Sequence, residues 1–243
     1  DGYTKKEMNK YLADVKRFTN YLFTQAPFTR NKSKFNIRAV FIPSEDSGPD
    51  NPGLEIWNNT ALNSSFYTFG SERYLTTKGY WKISDVASVV PYDHIVILVN
   101  TENYGGGGIY NYYSLVASDH EFSEIVMVHE LGHGFAGLGD EYYTSDVAYS
   151  DFYDLNKEPV DPNLTTLVDF DVKWKHMLEE HIPVPTPEIP EYKNSVGVFE
   201  GGGYIAKGIY RPQVDCRMKS NDAVDFCKVC QEAILEIIDH YSK

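Results

Sequence analysis

The sequence predicts a mixed α/β (α+β) fold: a twisted mixed sheet with packed helices, then an irregular lower part ending in a helix. Three observations carry this. The run HIVILVN (residues 94–100) is almost wholly apolar, as expected of a central strand covered on both faces. A helical segment follows residue 118 and stops where Gly137 and Gly139 break it. Near the end, Phe226, Val229, Cys230, Ala233, Ile234, Ile237, Ile238 and Tyr241 recur on one helical face.

Taken in order, residues 5–22 are helical by period, with Met8, Tyr11, Leu12, Val15, Phe18 and Leu22 at three- and four-residue steps. FNIRAVFI (35–42) reads as a strand ended by Pro43, and SEDSGPDNPG (44–53) as a loop. Residues 81–89 suggest a short helix closed by Pro91. GGGG (105–108) breaks the strand pattern, which resumes in the aromatic and β-branched residues of 109–117. Ser118 and Glu121 have the spacing of a capping box, so the next helix is expected just after Ser118, with Ile125, Val126 and Leu131 as its apolar surface. Residues 144–190 lack a period and are rich in Asp, Pro and Thr, with one short helix near 172–180. PVPTPEIP (183–190) must be extended, because each proline fixes φ and removes a donor. EGGGY (200–204) reads as a flexible turn. No internal repeat is visible. The expectation is one domain over residues 1–243, its upper part about 1–140 and its lower part about 141–243.

Composition excludes some function classes. The chain has 243 residues, 42% of them apolar and 14% aromatic, which is globular and not disordered. A net charge of −13 argues against nucleic-acid binding, which needs a basic face. No apolar run approaches the roughly 18–20 residues of a membrane span. Asp1 opens the chain with no charged-then-apolar leader, as a trimmed or processed chain would.

The chemistry concentrates in VHELGHGFAGLGDEYY (128–143). Helix positions i and i+4 share a face, so His129 and His133 can each aim a ring nitrogen at one zinc ion about 2 Å away. Glu130 lies about 100° round the helix. It can sit beside the metal without binding it, take a proton from water and hand it to a leaving amine. The plainer alternative is a surface helix with two solvated histidines. A preceding strand and apolar flanks weigh against that. One catalytic Zn2+ needs a third protein ligand and an open position. Gly137, Leu138 and Gly139 would swing the chain back and deliver Asp140 and Glu141. Asp140 is favoured as the ligand, and the other acid is left to bond a histidine nitrogen or loop amides.

Met218, in DCRMKS, is by itself a core methionine. With the glycine-broken zinc helix and a long irregular segment after it, it looks like the Met-turn of metzincins. A closer resemblance lies in HELGHGFAGLGDEYY, FEGGGYIAKGIYRP and DCRMKS…FCKVC, supported by DGYTKKEM, SEDSGPDNP and NTALNSSFYTFGSERYLT. Together these resemble the IgA-peptidase-like family of zinc metallopeptidases over nearly the whole chain. The resemblance implies a metzincin-like zincin, secreted, that hydrolyses peptide bonds of extracellular proteins. The strict metzincin pattern puts its third ligand six residues after the second histidine. Gly139 holds that place here and Asp140 comes one later. The family's name suggests immunoglobulin A, but no residue in this chain reads a hinge peptide.

Other features leave alternatives open. Tyr204 and Tyr210 flank the approach to Met218 and could donate to an oxyanion, although packing is the ordinary role among 19 tyrosines. The glycines at 105–108 either form a loop or leave a strand edge open to an extended peptide. Cys216, Cys227 and Cys230 allow one disulfide at most. A second zinc would need a fourth ligand, and His240 is far down the closing helix. A disulfide from Cys216 to Cys227 or Cys230 is therefore expected. The rival to a zinc endopeptidase is a non-catalytic module that binds host protein or glycan. An intact Glu130 argues against it. Oligomeric state is unreadable.

Overall fold

The computed structural model describes residues 1–144 and 152–243. It is a mixed α/β protein of small sheets and several helices. The chain divides into two compact units, Asp1–Phe135 and Ala136–Lys243.

The first unit opens with α1 (Met8–Leu22), entered through a 3-10 turn at Lys5–Glu7. The Glu7 carboxylate accepts from the Thr4 N–H and hydroxyl at 2.8 Å each, so it satisfies an amide at the helix start. The predicted apolar stripe is only partly used: Phe18 and Leu22 are buried, whereas Met8 and Leu12 are exposed. Charge does the remaining anchoring. Buried Asp14 accepts from Tyr3, Lys10 and Arg17, and Arg17 also reaches Glu124 at 2.7 Å. The single turn α2 (Phe28–Asn31) follows. The strand expected over 35–42 does not form. Among the described residues no ladder runs beside it, and Ile37 stands exposed where a paired strand would bury it.

Two short strands, β1 (Ser64–Ser65) and β2 (Thr76–Thr77), pair antiparallel ahead of α3 (Tyr80–Ala87). The main sheet has three strands: β3 (Ile95–Val99), β4 (Gly106–Ile109) and β5 (Tyr113–Ala117), in the order β3-β5-β4. β5 is parallel to β3 and antiparallel to β4. The central strand is therefore β5, all of whose residues are buried, and not the 94–100 run, in which Val96 is 42% exposed. The four glycines do not make a loop either. Three of them begin β4. On β5, Tyr113, Leu115 and Ala117 face a core with Phe66, Leu75, Ile83, Ile97 and Val99. By the two-residue period of a strand, Ser114 and Val116 face the other way.

α4 (Ser123–Ala136) starts later than the capping-box spacing predicts. The Ser118 N–H still pairs with Val99 at 2.8 Å and the Asp119 N–H with Thr101 at 3.0 Å. The sheet ladder thus runs on past β5 and holds Ser118 out of the helix. Gly137, at φ +65°, ends α4 as expected, because only the left-handed region turns the chain off the helix axis there.

The second unit is built on a hairpin, β6 (Phe199–Gly202) and β7 (Ile205–Arg211), and closes with α5 (Lys228–Tyr241). The flexible turn expected over 200–204 is in fact β6 plus a tight two-residue turn. Gly202 pairs with Ile205, and Gly203 and Tyr204 lie at φ +55° and +65°, the left-handed pair that a type I′ hairpin demands. Leu164, Ile205 and Ile209 form a small core. Part of the irregular stretch 144–190, residues 145–151, lies outside the described residues. The rest carries 3-10 turns at Phe170–Val172, Trp174–Met177 and Pro190–Tyr192, where one short helix was expected near 172–180. No helix among the described residues is long and apolar enough to cross a membrane.

Candidate active site

α4 is held against β5 by a side that carries almost no side chain. Ser114 Oγ donates to the Glu130 carbonyl at 2.7 Å and sits 3.0 Å from His94 Nε2. Gly134 allows the approach: a Cβ there would come within 2.4 Å of Ser114 Oγ. Burial lowers the His94 pKa to about 4, so this imidazole is neutral near pH 7. β4 comes equally close. A Cβ on Gly106 would lie 2.7 Å from Glu130 Oε1, and one on Gly108 would lie 2.7 Å from His133 Cβ. Two glycines at i and i+2 thus give one strand face the room to lie along Glu130 and His133.

On α4 the two histidines meet as their spacing predicts. Their Nε2 atoms are 3.1 Å apart and their ring centroids 4.7 Å apart. Two nitrogens bound tetrahedrally at about 2.0–2.1 Å would be separated by about 3.3 Å. Glu130, one residue on, is buried with its carboxylate against Gly106.

Beyond the helix, Asn163 holds the chain like a strand partner. It accepts from the Gly139 N–H at 2.8 Å and donates to the Gly139 carbonyl at 2.9 Å and to Glu141 Oε1 at 2.9 Å. Asp140 and Glu141 then part company. One ligand-type atom from each of His129, His133 and Asp140 lies within 4.8 Å of the others. The Tyr204 hydroxyl donates to Asp140 Oδ2. The hairpin turn that carries this tyrosine is pinned by Gly203 N–H to the Asp140 carbonyl at 2.7 Å and Tyr204 N–H to the Tyr142 carbonyl at 3.0 Å. These bonds offset the roughly 1–2 kcal/mol cost of a non-glycine residue in the left-handed region. Tyr210 sits mid-strand on β7, opposite Glu200 and bridged to Thr165.

Glu141 is fully buried among Cys216, Cys227 and Cys230. Burial holds its carboxyl well above the usual range. Its N–H donates to the carbonyl of the wholly buried Met218 at 2.8 Å. All three cysteines are free, which corrects the expected disulfide. The Cys216 and Cys230 sulfurs lie 3.7 Å apart. Ser114, Asn163 and the Gly106–Gly108 cradle were missed from sequence. Of these only the alternate glycines left a signal, as two same-face positions without side chains.

His129, His133 and Asp140 are thus a group able to hold a metal ion. The chain matches the family model of the IgA peptidase M64 family over residues 1–194 and 188–238, and so belongs to that family of metallopeptidases. No curated protein matches it.

Proposed function

We propose that this protein is a zinc-dependent endopeptidase with a metzincin-like catalytic domain, exported to act on extracellular proteins. The observation that carries the reading is the meeting of His129, His133 and Asp140 beside a buried Glu130. Two imidazole nitrogens and a carboxylate oxygen are a donor set that suits zinc and leaves a position open. When bound, zinc would polarise the scissile carbonyl and make water a nucleophile near neutral pH.

The chain's own residues do the rest. Glu130 takes a proton from the attacking water as its oxygen joins the carbonyl carbon. It then passes that proton to the leaving nitrogen as the C–N bond breaks. No covalent intermediate with the protein is needed. Tyr204 holds Asp140 with its one hydroxyl proton and, with substrate bound, would turn that proton to the charge developing on the carbonyl oxygen. Tyr210 is the second candidate for that donor. Met218 underlies this region as a Met-turn. The edge strand β4 would receive the substrate as an added extended strand beyond Gly106, whose carbonyl already accepts from the Leu75 N–H, at the partly exposed Gly108 and the exposed Ile109.

The test is hydrolysis of denatured casein with and without a chelator. The reading expects cleavage that the chelator abolishes and added zinc restores. Binding without cleavage would favour a non-catalytic module.

A further inference from the structure

The cysteine cluster is a site in its own right. Cys216, Cys227, Cys230 and Glu141 are each buried, and one ligand atom from each lies within 4.8 Å of the others. They come from three separate segments: the turn that holds Met218, the start of α5, and the residue after Asp140. We propose that these four residues form a second, closed zinc site with a structural role, separate from the catalytic one.

The spacing fits a tetrahedral ion. With Zn–S near 2.3 Å and Zn–O near 2.0 Å, the edges of the tetrahedron are about 3.8 Å between sulfurs and about 3.5 Å between sulfur and oxygen. The Cys216 and Cys230 sulfurs are 3.7 Å apart, and Cys230 Sγ is 3.3 Å from Glu141 Oε1. A disulfide would require about 2.05 Å.

The surroundings suit thiolates. The Cys227 N–H points at Cys216 Sγ at 3.2 Å, and the Cys230 N–H at Cys227 Sγ at 3.5 Å. Cys227 caps α5, so its sulfur sits at the positive end of that helix.

A second observation points to a ligand independently. Glu141 Oε2 is fully buried with no hydrogen-bond partner, while Oε1 is held by Asn163. A buried carboxyl oxygen packed among three sulfurs is costly, whether ionised or protonated, as long as it has no partner. Arg211 acts on Glu141 electrostatically without bonding it: its Nη1 and Nη2 go to the Glu200 and Gly201 carbonyls and to Glu188, and its Nε has no hydrogen-bond partner. A divalent cation supplies the missing partner. Four protein donors leave no position for water, so the site is structural and not hydrolytic.

The test uses the full chain carrying His129→Ala and His133→Ala, which removes the histidine cluster and spares the cysteines. Purified under reducing conditions and loaded with Co2+ alone, it should bind one ion per chain and show a near-ultraviolet thiolate-to-cobalt charge-transfer band. Adding Glu141→Gln should weaken Co2+ binding at least tenfold while circular dichroism shows the fold retained. The wild-type chain should hold two zinc ions. A metal-free double variant with three titratable thiols would overturn the proposal. So would a Cys216–Cys230 disulfide, cobalt bound without the charge-transfer band, or a Glu141→Gln variant of unchanged affinity.

Discussion

The histidine cluster and the cysteine cluster use adjacent acids, Asp140 and Glu141, in opposite ways. His129 and His133 are partly exposed, whereas all four members of the cysteine group are buried. The first group lies along one short stretch of chain, residues 129–140. The second gathers residues spread over 141–230. A partly exposed, three-donor set suits chemistry, and a closed, four-donor set suits holding chain segments together. The stretch just after α4 shows how the division is made: Gly137 turns the chain, Asn163 clamps it, and each acid is then led to a different group.

The sharpest way to break the contrast is Glu130→Gln. It should lower casein hydrolysis by at least roughly 100- to 10,000-fold while zinc content and Tm stay at wild-type values. Substantial activity in a contaminant-free preparation would mean that the histidine cluster does not work through this carboxylate. Next comes Gly106→Ala, whose new methyl would meet Glu130 Oε1 at 2.7 Å. A displacement of about 1 Å at a catalytic group can cost on the order of 100-fold, so kcat should fall by up to that factor with the fold intact. Unchanged kcat would show that β4 does not position Glu130.

Tyr204→Phe removes the bond to Asp140 and the donor proposed for the oxyanion. A loss of about 100-fold in kcat, the low end for an oxyanion donor, with KM little changed, is expected. A rise in KM alone would leave the tyrosine a substrate-binding or packing role. The smallest effect concerns acid stability. His94 titrates near 4 when folded, against 6.5 normally. Between these values the unfolded chain binds a proton that the folded chain does not. The stabilising contribution is therefore full above about 6.5 and is lost as pH falls through about 4. Urea midpoints at pH 7 and pH 5 should differ less in His94→Gln than in wild type. An identical difference would remove His94 from the account.

What could be read from the sequence follows the range of the interactions. α4, its glycine end and the histidine spacing rest on contacts within a few residues, and each was legible. α5 was legible for the same reason. The capping box at Ser118 failed because a long-range ladder to Val99 and Thr101 outcompeted a local hydrogen bond. The apolar run at 94–100 marked a strand but not its place in the sheet, since strand order depends on which partner arrives. FNIRAVFI had strand composition and, among the described residues, no strand pairs with it. The hairpin turn was hidden because tyrosine rarely accepts the left-handed conformation that Tyr204 takes here. The fourth member of the cysteine group was hidden most deeply. Glu141 is 75 residues away from Cys216 in the chain, and nothing local marks it as their partner.

The central claim is that Asp140, and not its neighbour, completes the catalytic metal site. Zinc content of Asp140→Ala, measured beside casein hydrolysis, tests it most directly. The account predicts one fewer zinc ion per chain than wild type and no detectable hydrolysis, in a protein that remains folded. An Asp140→Ala chain with wild-type zinc content and activity would contradict it and put the third ligand elsewhere.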